Sequence, residues 1–281
     1  MKEIIKQVVD EWNQARSPRL AAALAYYALF SLAPAIFVAF TVADLILDDM
    51  TIVGQIMAQV EALFGAEVAL FINDLVMSLE ASTSDGTTFA TLVSFVVLLY
   101  AASSLFAQLK YALNTIWGVS YAEEAGIVPF IKNRLLAFLM VISLGFLLIA
   151  ATFVNVIQSL ISSFIPLGSG TSLLSNLTMF GLAVLAFAFM YKVLPDRKIR
   201  WGDVWLGAAV TTGLMFVGLW LISLYFRNFN IASAVEAAGA VAIVLVAFNY
   251  LSYIFLFGGV FTKVMAIRRN AALVDVEPEI S

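Results

Sequence analysis

The stretch Ala25–Phe37, AYYALFSLAPAIF, is apolar almost throughout and carries Pro34 in its middle. It extends an uncharged run that opens near Leu20 and reaches Leu47, broken only by Asp44. About 20 apolar residues suffice for a helix to cross the hydrocarbon of a bilayer. Proline inside such a helix removes a donor and leaves the carbonyl four residues back, here that of Phe30, without its partner. In lipid that carbonyl must be satisfied by protein or by water in a cavity. Pro34 lies about 22 Å along a helix beginning near Arg19, close to the bilayer midplane. The stretch therefore predicts a membrane span with a break in it.

Composition extends this reading to the whole chain. Of 281 residues, 63% are hydrophobic and 12% charged; soluble domains average about 25% charged. Six spans are expected, at 20–47, 87–109, 135–166, 173–194, 204–226 and 241–267. The expected fold class is an all-α polytopic membrane protein, a six-helix bundle in residues 19–267. An amphipathic interfacial helix precedes it at 1–18, with Ile4, Ile5, Val8, Val9 and Trp12 on one stripe. Ser17 suits its successor's N-cap, with Pro18 at the first helical position. A disordered cytoplasmic tail is expected at 268–281.

Orientation follows from the basic residues. With six spans, every Lys and Arg except Arg227 falls on one side. The positive-inside rule then places both termini in the cytoplasm. The opposite side holds the segment 48–86, which contains Asp48, Asp49, Glu61, Glu67, Asp74, Glu80 and Asp85 and no Lys or Arg. Its apolar residues recur at helical spacing, so an external amphipathic helical cap is expected there, either simply solvated or acting as a lid.

Other features exclude chemistry. The chain has no Cys and no His, which removes disulfides, thiolate metal sites and histidine acid–base catalysis. No glycine-lysine phosphate loop is present, so no ATPase is expected. The reading calls for no cofactor, no metal and no nucleic acid.

Polar residues inside spans are costly and mark interiors or pathways. A candidate solute path is formed by Tyr26, Tyr27, Phe30, Ser31, Pro34 and Asn249, with Ser31 and the freed Phe30 carbonyl as polar contacts. Asp44, Asn155, Arg227 and Glu236 form a candidate outer mouth. Alternatively the break is absorbed by neighbouring helices and the charges are merely wet. Small residues at four-residue spacing, Ala21 and Ala25, Ala35, Ala39 and Ala43, mark close packing, as do Gly207 to Ala209 with Gly213, and Gly258–Gly259. Arg197, Lys198 and Arg200 in the turn LPDRKIRW read as topology determinants or an anionic-lipid site, with Trp201 and Trp205 in the aromatic belt.

Four elements occur in a familiar order: LAAALAYYALFSLAPAIF (20–37), LNTIWGV (113–119), VLPDRKIRWGDVWLGAAVTT (193–212) and LFGGVFTKV (256–264). Together they resemble the YihY/BrkB family over nearly the whole chain. The resemblance implies a six-span inner-membrane protein, with transport of lipids or envelope precursors as the usual suggestion. It also implies an acidic residue after two small ones in the last element, where this chain has Val260. Some members carry an old ribonuclease BN label. That chemistry wants metal-binding carboxylates or histidine beside a basic RNA channel, which a histidine-free chain of net charge −4 does not offer. The reading is therefore non-enzymatic: a handler of a hydrophobic or amphipathic solute, with membrane lipids as partners. A non-transporting scaffold for envelope enzymes and a channel are the alternatives, and a homo-oligomer or an envelope-protein partner fits either reading.

Overall fold

The computed structural model describes residues 2–31, 61, 69–70, 73–74, 77–78, 88–119, 170–228 and 236–274. Among them the regular structure is helical. The helices are α1 (Lys2–Gln14), α2 (17–31), α3 (Thr88–Ile116), α4 (Gly170–Val193), α5 (Trp201–Asn228) and α6 (Glu236–Val274). Pro34, Asp44, Asn155, the expected third span at 135–166 and most of the segment 48–86 lie outside the described residues. Arg227 and Glu236 lie on described backbone, but their side chains lie outside the description.

Three of the described helices are long and apolar enough to cross a membrane, over Asn176–Val193, Trp201–Leu221 and Val244–Arg269. Each falls within or close to an expected span. The last helix is longer than expected. It runs to Val274, so 268–274 are helical where a disordered tail was expected from 268. The physical reason is that Arg268 reaches Gln7 Oε1 at 2.6 Å and Arg269 reaches Asp203 Oδ1 at 3.3 Å, tethering this end. At 1.5 Å per residue, α6 is about 58 Å long and outreaches the roughly 30 Å hydrocarbon core.

The turns between helices are set by local chemistry. Pro195 follows the end of α4 and cannot continue it. The α3 terminus closes as a Schellman cap: Val119 N bonds the Asn114 carbonyl and Gly118 N the Thr115 carbonyl. Gly118 takes φ +68°, a left-handed conformation that costs glycine little. Between α1 and α2, Arg16 holds the cap position in place of the expected Ser17. Its carbonyl accepts from Arg19 N and Leu20 N, and its φ is 52°.

The core lies where α4, α5 and α6 meet, with α1, α2 and the last turns of α3 against it. The α5–α6 crossing is built from two matching pairs. Gly207 and Thr211 on α5 face Gly258 and Thr262 on α6. A Cβ at Gly207 would collide with the Thr262 hydroxyl, and one at Gly258 with the hydroxyls of Thr211 and Tyr191. Each threonine turns its hydroxyl onto its own helix, Thr211 to the Gly207 carbonyl at 2.8 Å and Thr262 to the Gly258 carbonyl at 2.7 Å. The hydroxyl and Cβ of each threonine are what stand against the facing glycine. Of the small residues foreseen from the sequence, Gly207, Gly258 and Gly259 are contact points and Ala21, Ala25 and Ala208 are buried, whereas Gly213 faces open space and Ala35, Ala39 and Ala43 lie outside the described residues.

Overpacking such a contact costs about 1–3 kcal/mol. Gly258→Val should therefore lower the thermal unfolding temperature in detergent by several degrees. Gly213→Ala, where nothing stands within 4 Å of a new Cβ, should leave it unchanged. Equal effects of the two changes would contradict this packing.

Candidate functional site

Tyr191 lies at the centre of the block. Its ring is 1% exposed, packed 5.1 Å from that of Phe255. Its hydroxyl donates to the Phe255 carbonyl at 2.7 Å and lies 2.8 Å from Thr211 Oγ1, whose single proton is shared between the phenol oxygen and the Gly207 carbonyl. A phenol surrounded by helices needs such partners, because no water replaces them. Here they tie α4 to both α5 and α6.

Apart from Arg227 and Glu236, whose side chains lie outside the description, the charged residues of the described helices gather at one end of the bundle. Lys110 on α3 is buried and pairs with Asp196 at 2.7 Å. Asn114 grips the same residue twice: its amide donates to Asp196 Oδ2 at 2.7 Å and its oxygen accepts from Asp196 N at 2.8 Å. Arg197 donates to the Trp117 carbonyl at 3.2 Å and lies over the Trp117 ring at 5.8 Å. The sequence elements LNTIWGV and LPDRKIRW, 82 residues apart at Asn114 and Asp196, thereby interlock. Lys192 donates to the Ile199 carbonyl. Asp203 is buried and is paired by Arg269.

The amphipathic N-terminal helix joins the same end. Glu11 pairs with Lys263, and Trp12 stacks on Tyr253 at 5.7 Å and meets Phe257 at 6.4 Å. The single apolar stripe expected for α1 divides in two. Ile4, Val8 and Trp12 pack against the core, while Ile5 and Val9 remain exposed. A shallow pocket of about 150 Å³ between α1 and α6 is lined by Gln7, Asp10, Glu11, Gln14, Val264 and Ile267.

The proposed path residues divide by face. On α2, Ala21, Leu24, Ala25 and Ala28 are buried, while Tyr26, Tyr27 and Phe30 are exposed at 55%, 38% and 62%. The exposed rings form a row, Tyr26 lying 5.7 Å from Tyr27 and 4.7 Å from Phe30. Ser31 is buried, and its hydroxyl bonds the Ala28 carbonyl at 3.3 Å. A serine hydroxyl in a helix reaches a carbonyl three or four residues back. Asn249 is half-buried on α6. Val260, where the resemblance implies a carboxylate, is completely buried. Arg197 is tied to Trp117, whereas Lys198 and Arg200 point outward.

Sequence reasoning missed Tyr191, Asn114, Asp196 and the Gly–Thr pairs as partners. The signals available were a glycine and a threonine four apart on two spans, an asparagine in the apolar element LNTIWGV and an aspartate in the polar turn LPDRKIRW.

These features define a helical integral membrane protein with a polar, latched end. The family model described as virulence factor BrkB matches residues 8–279. The chain belongs to that family. Among curated relatives it is 29% identical to a UPF0761 membrane protein of Alteromonas mediterranea over 85% of this chain and 79% of the relative. It is 25% identical to one of Teredinibacter turnerae over 96% of this chain and 62% of the relative. It is 26% identical to one of Pseudomonas aeruginosa over 87% of this chain and 58% of the relative. The chain thus spans about three fifths of the length of the latter two. No solved structure matches.

Removing one partner of a buried ion pair costs about 3–5 kcal/mol, because the other charge is stranded. Asp196→Ala should therefore destabilise more than the double change Lys110→Met with Asp196→Ala, measured by thermal unfolding in detergent. A double variant worse than the single would contradict the pairing. Tyr191→Phe should cost about 1–3 kcal/mol in the same assay, since it leaves the Phe255 carbonyl without its phenolic partner.

Proposed function

We propose that this chain is a six-span protein of the cytoplasmic membrane, with both termini in the cytoplasm, that handles a hydrophobic or amphipathic solute of the lipid or envelope-precursor class. The gathering of Lys110, Lys192, Arg197, Lys263, Arg268 and Arg269 at one end of the bundle supports the orientation. With α1 packed on this end, its exposed Ile5 and Val9 are left for the inner interface. The absence of a glycine-lysine phosphate loop supports coupling to an ion, a gradient or another protein rather than to ATP hydrolysis.

The observation that carries the solute reading is the outward row of Tyr26, Tyr27 and Phe30. Rings present a smooth apolar surface to an acyl chain, and the two phenols add polar groups for a headgroup or glycerol ester. The row leads toward Pro34, where the sequence places a break in the helix, and such breaks are where many transporters bind their solute. Asp44, Asn155, Arg227 and Glu236 complete the proposal as the outer mouth. A second reading, a scaffold for envelope enzymes, is favoured by the α4–α6 block, whose centre is packed shut around Tyr191.

Reconstitution in liposomes carrying fluorescent phospholipids separates the two. Solute handling predicts lipid movement above protein-free vesicles, lowered several-fold by Tyr26→Ala with Phe30→Ala, and by Pro34→Ala. Wild-type protein that moves no lipid above the protein-free level would overturn the lipid reading and leave the scaffold.

A further inference from the structure

We propose that Lys198 and Arg200, together with Trp201 and Trp205, form a binding patch for the headgroup of an anionic phospholipid. The patch rests on the membrane class of the protein and is independent of any solute movement.

The stretch from Lys198 to Arg200 lies between α4 and α5 without helical structure. Ile199 is 4% exposed and is anchored by its carbonyl, which accepts from Lys192. Both flanking side chains are exposed. Anchoring the middle residue inward turns the two cations outward together.

The neighbouring charges are already engaged. Asp196 is held by Lys110 and Asn114, Asp203 by Arg269, and Arg197 by the Trp117 carbonyl and ring. Neither nearby carboxylate therefore neutralises Lys198 or Arg200.

Immediately along the chain, Trp201 and Trp205 are 49% and 44% exposed, with ring centroids 6.5 Å apart. Leu206 beside them is 54% exposed. Two tryptophans one turn apart at the start of an apolar span mark the interface between hydrocarbon and headgroups. The cations thus stand on the water side of the aromatic belt, at the depth of lipid phosphates. Their geometry suits a phosphodiester below and acyl chains along the Trp205 and Leu206 face. A basic segment with an adjoining apolar face fits an anionic lipid better than a soluble phosphate, which would gain nothing from the indoles.

The test uses the full-length protein in mixed bilayers of phosphatidylglycerol and phosphatidylcholine, with co-purifying lipid measured by native mass spectrometry. Wild type should retain phosphatidylglycerol preferentially. Lys198→Gln with Arg200→Gln should reduce that preference roughly 10- to 30-fold, as expected for two interfacial cations. The swap Lys198→Arg with Arg200→Lys should keep it, and Trp201→Ala with Trp205→Ala should weaken it. Inorganic phosphate in excess should not displace the lipid; displacement would mean a free-phosphate site and overturn the proposal. Because the chain has no cysteine, single cysteines can report topology in the same variants. Unchanged topology with lost preference supports lipid binding. Unchanged lipid retention in the Gln pair, or lost retention that accompanies inverted topology alone, overturns it.

Discussion

The crossing of α5 over α6 is the constraint on which the rest of this structure depends. Helices in a bilayer gain little from burying apolar surface against one another, because lipid is equally apolar. Association then rests on close packing and on hydrogen bonds that the bilayer itself cannot supply. Gly207 and Gly258 remove the side chains that would separate the two backbones, and Thr211 and Thr262 fill the resulting hollows. The same closeness lets Tyr191 reach both Thr211 and the Phe255 carbonyl. A single phenol thereby connects three helices.

From that centre the molecule becomes more polar toward one end. Val264 and Ala266 are buried one to two turns beyond the crossing, while Lys263, Arg268 and Arg269 pair with residues of α1 and α5. On the α3 side, Asn114 and Lys110 hold the α4–α5 turn through Asp196. The Lys263–Glu11, Arg269–Asp203 and Lys110–Asp196 pairs are partly buried, so screening by salt weakens them less than surface pairs. They fix the helix ends while leaving the aromatic row of α2 on the outside.

Much of this was legible in the sequence because hydropathy and charge are local properties. Runs such as Val204–Phe226 are long enough to be spans whatever surrounds them, and alanines or glycines four apart identify a narrow helix face. The polar contacts were not legible, because they join residues distant in sequence. Nothing near Asn114 signals that it grips Asp196, and nothing near Tyr191 names Thr211 as its partner. The expected single stripe on α1 failed for a related reason: a helix pattern shows which residues are apolar, not how many surfaces share them. Ile4, Val8 and Trp12 meet protein, and Ile5 and Val9 do not. The helical stretch 268–274 was missed because its order comes from Gln7 and Asp203, not from its own composition.

The close α5–α6 approach can be measured directly in a chain that has no native cysteine. A Cβ at Gly258 would lie 3.0 Å from the Thr211 Cβ, as would one at Gly207 from the Thr262 Cβ. A separation of the two helices by about half an ångström to one ångström brings either pair into the range of roughly 3.5–4.5 Å that a disulfide requires. Gly207→Cys with Thr262→Cys, where the new Cβ at position 207 meets no side chain other than that of Thr262, oxidised mildly in native membranes, should form an intramolecular disulfide in most molecules, detected as protection of both thiols from alkylation. Two thiols that stay fully alkylatable in protein that remains folded would contradict the crossing and the account built on it.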